Sequence, residues 1–120
     1  MIAVIFELEP KDEGKDEYFG IAGDLKAILS EIEGFISVER FQSLANPKRF
    51  LSLSFWEDES AVKAWRNQVM HRKAQAKGRG TLFENYRLRV AEVVRDYGMN
   101  DREQVPKDLT VQRVVNARES

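Results

Sequence analysis

The chain's single histidine, His71, stands six residues after Trp65 in the run AWRNQVMHRKAQAKGRG, residues 64–80. An imidazole titrates at about 6.5 when unperturbed, which suits a general base near neutral pH. An indole offers a flat wall for an aromatic substrate. Trp56, Asn85, Tyr86 and Arg87 complete the set of substrate-contact candidates, with Arg87 able to stabilise an enolate or phenolate oxygen. Each has a plainer reading. Trp65 is also a core anchor four residues after Ala61, and His71 is also a partly exposed helix histidine. Arg87 and Arg89 equally suit cross-strand salt bridges with carboxylates such as Glu39. The cations Arg72, Lys73, Lys77 and Arg79 read as a solvated helix face. Gly78-Arg79-Gly80 lacks the strand and the GK[ST] ending of a phosphate loop.

Several classes of chemistry are excluded or disfavoured by composition. There is no cysteine, so disulfides, thiolate metal sites and cysteine nucleophiles are absent. One histidine rules out a multi-histidine metal centre within one chain. Nineteen basic residues balance twenty acidic ones, for a net charge of −1, without the cation excess of a phosphate-binding nucleic-acid partner. No apolar run reaches membrane-spanning length, and MIAVIFELEP lacks the basic lead of a signal peptide. The expectation is a cytoplasmic protein with no nucleic-acid or membrane partner.

The elements that must hold these residues alternate in period. Residues 2–8, IAVIFEL, read as a strand before Pro10. Between residues 14 and 32, Tyr18, Ile21, Ala22, Leu25, Ile28, Leu29 and Ile32 recur at helical spacing, and Gly34 suits the stop. Residues 35–45 alternate, placing Phe35 with Ser37, Glu39 and Phe41. After the Asn46-Pro47 turn, residues 49–56 alternate again, completing a hairpin. Asp58 is the expected N-cap of a second helix that carries Trp65 and breaks near Asn67. Residues 82–99 form a long last strand, with Tyr86, Leu88, Val90 and Val94 on one face and Asn85, Arg87 and Arg89 on the other.

This order predicts an α+β fold, ferredoxin-like βαββαβ, with helices on one face of a four-stranded antiparallel sheet. The domain spans residues 1–99. Residues 100–120 are a tail with a short apolar patch, Leu109, Val111, Val114 and Val115, expected to dock on the domain or on a partner subunit. The uncovered sheet face also carries large apolar groups, whose exposure costs about 25 cal/mol per Å². A homodimer that packs two such faces together is therefore expected.

With its SFWEDESAVKAW hairpin end, its HRKAQAKGR segment and its last strand NYRLRVAEVVRDYGM, the sequence resembles the antibiotic biosynthesis monooxygenase domain family of dimeric α+β-barrel proteins. The likeness covers roughly residues 2–99 and is most specific over 55–79. It implies a homodimer with a pocket between helices and sheet, and a helix break that lets Trp65 and His71 line that pocket. It further implies a cofactor-independent monooxygenase acting with dioxygen on a planar phenol or quinol. The alternatives are a non-catalytic ligand-binding or stress-associated dimer, and a haem-degrading oxygenase. Haem is disfavoured, because the first strand lacks the asparagine of the haem-degrading members and His71 follows Trp65 more closely than in them.

Overall fold

The computed structural model describes residues 1–75 and 82–108, with the backbone alone for 69–75. The expected apolar patch at 109–115 lies outside the described residues. Four strands, β1 (Ile2–Pro10), β2 (Phe35–Gln42), β3 (Phe50–Trp56) and β4 (Phe83–Glu92), form one antiparallel sheet in the order β2-β3-β1-β4. Two helices, α1 (Lys15–Leu29) and α2 (Glu59–Gln75), follow β1 and β3 respectively. This is the ferredoxin-like arrangement the alternation implies. No described helix is long and apolar enough to cross a membrane.

Register decides which side chains face the helices. Phe6 of β1 pairs with Ser52 of β3 and Leu88 of β4, and Ser52 pairs with Arg40 of β2. The parallel row through Val4 joins Ser54, Val38 and Val90. Because strand side chains alternate, both rows share one face, while Ile5, Leu53, Glu39 and Arg89 lie together on the other. On the helix side, Ile2, Val4, Leu29, Trp56, Ala61 and Val62 form the buried core, with Phe35, Val38 and Trp65 packed around it.

Three local expectations change. The β2–β3 register shifts between Phe35 and Ser37, so Phe35 opposes Trp56 on the helix side rather than joining Ser37 and Glu39. Its ring lies 5.2 Å from that of Trp56, edge to face. The last strand stops at Glu92 although the alternation continues to residue 99. Its only neighbour among the described strands is β1, and Ile2 opposite Glu92 is the last pair, followed by one bond from the Val93 N–H to the Met1 carbonyl. Finally, α2 runs unbroken through Asn67 to Gln75, so the expected break is absent.

Two devices fix how α2 begins. The Ala61 N–H donates to Asp58 Oδ1 at 2.9 Å, the expected N-cap. Gly34 has φ of +90°, and a Cβ there would lie 2.8 Å from the Ala61 Cβ. Only glycine satisfies both conditions, so the turn after α1 can pass against the first turn of α2.

A candidate ligand cavity between α1 and the sheet

The row Arg40–Ser52–Phe6–Leu88 forms the floor of a cavity of about 250 Å³. Its roof is the inner stripe of α1, with Tyr18, Ile21, Ala22 and Leu25 at the helical spacing seen in the sequence. Space exists here because Ser52 and Ala22 put small side chains where facing elements would otherwise interdigitate. Trp65 of α2 closes one end, and Phe83 and Tyr86 stand at the other. Tyr86 is 59% exposed and Leu88 43%, so the mouth opens along β4.

The proposed site residues divide by location. Trp65 and Tyr86 both line the cavity. Trp56 does not: it has no solvent exposure, donates through Nε1 to Ser54 Oγ at 2.9 Å, and lies behind Trp65 with ring centroids 5.9 Å apart. A substrate in this cavity cannot touch it. Asn85 and Arg87 point from the opposite face of the sheet, where they border a shallow polar cleft with Glu7, Glu9 and Arg49. They cannot reach a ligand in the cavity either. Of the two arginines expected to form ion pairs on this face, Arg89 does so, with Glu7 rather than Glu39 (Nη1 to Oε1 2.9 Å). Arg87 has no ion pair among the described residues, and Arg49 Nη2 lies 3.1 Å from Glu9 Oε1. The His71 side chain lies outside the described residues. Its position on the unbroken α2 is about 120° around the axis from Trp65.

Four polar residues of the cavity, Tyr18, Lys26, Arg40 and Ser52, were not singled out by sequence reasoning. Tyr18 had been counted as part of an apolar stripe. Its ring packs at 5.3 Å from Phe83 and 5.2 Å from Phe19. Burial holds its hydroxyl above the ordinary pKa of 10.0, and the positive charge of Arg40 offsets part of that rise. It is therefore a neutral hydrogen-bond donor near neutral pH. Arg40 is half-buried on the floor, with its guanidinium 5.8 Å from the Phe19 ring centre. The signal for it was present, since alternation puts Arg40 on the same side as Val38.

Among the described residues, no group of three or more histidine, cysteine, aspartate or glutamate side chains could hold a metal ion. The described lining offers neither histidine, cysteine nor methionine to a haem iron. The arrangement suits a small, mostly apolar organic molecule enclosed between a helix and a sheet, with aromatic walls and a few polar handles.

A four-stranded sheet with two helices on one face and a hollow between them defines a ferredoxin-like α+β protein with a candidate ligand cavity. The family model described as Antibiotic biosynthesis monooxygenase matches residues 1–77, and the chain belongs to that family. A curated relative from Pyricularia oryzae, Jasmonate monooxygenase ABM, is 44% identical over 101 residues. That match takes in 84% of this chain and 47% of the relative, so the chain spans about half of that protein's length. Among solved structures, the cofactor-independent oxygenase SnoaB from Streptomyces nogalater aligns with a TM-score of 0.63 at 11% identity, over 79% of this chain and 94% of that one. MhuD, with two manganese protoporphyrin IX molecules per active site, aligns with a TM-score of 0.63 at 21% identity, over 82% and 99%. At these identities the two structures speak for the fold alone.

Proposed function

We propose that the chain is a cofactor-independent monooxygenase that oxidises a small planar phenol or quinol in the cavity between α1 and the sheet. The observation that carries this reading is the cavity itself, which combines an apolar interior with the indole of Trp65, the phenol rings of Tyr18 and Tyr86, and one guanidinium. A deprotonated electron-rich ring can pass an electron to dioxygen, and the two radicals combine at a ring carbon. Loss of water then leaves the quinone, with one oxygen atom retained by the substrate and the other in water. The protein has to hold the ring, lower its pKa and accept the proton. Trp65 stacks on the ring, and the neutral Tyr18 hydroxyl donates to the phenolate oxygen. His71, the residue assigned as base, accepts the proton. Two chains joined through their uncovered sheet faces form the working unit.

A second reading, a non-catalytic dimer that binds a small ligand in the same cavity, draws support from the unbroken α2, which places Trp65 and His71 on different sides of the helix. Oxygen uptake separates the two. Purified protein without added haem, flavin or metal should consume oxygen with an anthrone or a quinol, and Trp65→Ala and His71→Ala should each lower kcat at least about tenfold. Jasmonate joins the panel because the 44% identical relative is named for it. No uptake above buffer with any of the three would leave the binding reading in its place. Haemin titration tests the haem-degrading alternative, which requires a shift of the Soret band.

A further inference from the structure

The cavity's charge is one-sided. Among the described residues its lining includes Lys26 and Arg40 and no aspartate or glutamate. Lys26 sits exposed at the rim, on α1, while Arg40 is half-buried in the second half of β2. Arg87, which is exposed on the opposite face, has no ion pair among the described residues either, but two other arginines differ from Arg40. Arg49 and Arg89 are both ion-paired, to Glu9 and Glu7, whereas among the described residues Arg40 has no carboxylate within ion-pair distance. Its described neighbours are the Phe19 ring and the Tyr18 phenol, on which its charge acts. A half-buried guanidinium with no described counter-charge favours an anion beside it, and its fork of donors matches a carboxylate. Two hydroxyl groups stand on the same walls: Ser52, paired with Arg40 across the β2–β3 ladder, and Tyr18 above the floor.

We propose that the ligand of this cavity is an organic anion, a small apolar ring system bearing one carboxylate, and that Arg40 selects it by pairing with that carboxylate. The ring occupies the apolar part between Trp65, Leu25 and Phe6, and the charged group lies at the Arg40 end, with Lys26 attracting it at the rim. Arg40 is thereby a specificity-determining residue rather than a participant in oxygen chemistry. The assignment rests on this cavity being the substrate site, but not on whether oxidation occurs there.

The test is titration calorimetry with 1-naphthylacetate and its uncharged counterpart 1-naphthylacetamide, which share size and ring. The wild-type chain should bind the carboxylate at least about tenfold more tightly, the scale of a charge-assisted hydrogen bond. Arg40→Gln should erase that preference and leave the amide's affinity unchanged, which also shows that the variant is folded. Arg40→Lys should recover part of the preference, and added salt should weaken the carboxylate alone. Equal affinities in the wild type, or a preference that survives Arg40→Gln, would overturn the assignment. If neither compound binds, both this proposal and the cavity's role as substrate site fail. A carboxylate preference in a protein that consumes no oxygen would uphold Arg40 as the selector and remove only the monooxygenase.

Discussion

Two tryptophans with ring centres 5.9 Å apart do different work. Trp56 is fully enclosed and hydrogen-bonded to Ser54, so Trp56→Ala should destabilise the fold by about 3–5 kcal/mol, the usual cost of deleting a buried aromatic. Trp65 is half-buried and faces the cavity, so Trp65→Ala should cost less stability and weaken ligand binding instead. Paired urea melts and calorimetric titrations distinguish the two; equal stability losses would place Trp65 in the core alone. Tyr18 makes a pH-dependent prediction. Its folded-state pKa is raised above 10.0, so above that pH the unfolded chain holds fewer protons at this position than the folded one. Stability from this group is complete below pH 10 and declines as pH rises through the folded pKa. Tyr18→Phe should make that decline shallower, read from urea midpoints on either side of pH 10, while leaving the neutral-pH slope unchanged.

At the scale of elements, the junction between α1 and β2 leaves no room for a side chain at Gly34. Gly34→Ala meets two penalties together, a left-handed backbone and a 2.8 Å approach to Ala61. The backbone conformation alone costs of order 1–3 kcal/mol for a residue with a side chain. Adding Ala61→Gly should recover the steric part and leave the conformational part, so the double variant should be more stable than Gly34→Ala alone. A thermal melt in which the two losses simply add would show that the contact carries no energy. The residue-scale and element-scale lessons meet in β2. One extra residue near Ile36 turns Phe35 toward Trp56, and beyond it Val38 and Arg40 face the helices. A shift of one residue elsewhere in that strand would move Arg40 out of the cavity.

For the whole molecule, the sheet face away from the helices carries Ile5, Leu51, Leu53 and Phe55, with Phe41 44% exposed beside them. Sedimentation should give twice the 13.9 kDa chain mass at micromolar concentration. Leu53→Glu should produce monomers that still bind cavity ligands, because its side chain points away from α1. A wild-type protein that sediments as a monomer would end the face-to-face arrangement. The sequence alone determined the element order, the sheet-facing stripe of α1, the N-cap at Asp58 and the glycine after α1. These are readable because a period of 2 or 3.6 and a capping side chain are local properties of the chain. What tertiary structure decided is which of the singled-out groups share a space. Asn85 and Arg87 differ from Tyr86 by one residue and therefore lie across the sheet from it. The register shift that reassigns Phe35, the early end of β4, and the meeting of Tyr18 with Arg40 all depend on partners distant in the chain. Local alternation gives each strand two faces, but only packing against another element chooses which face is the inside.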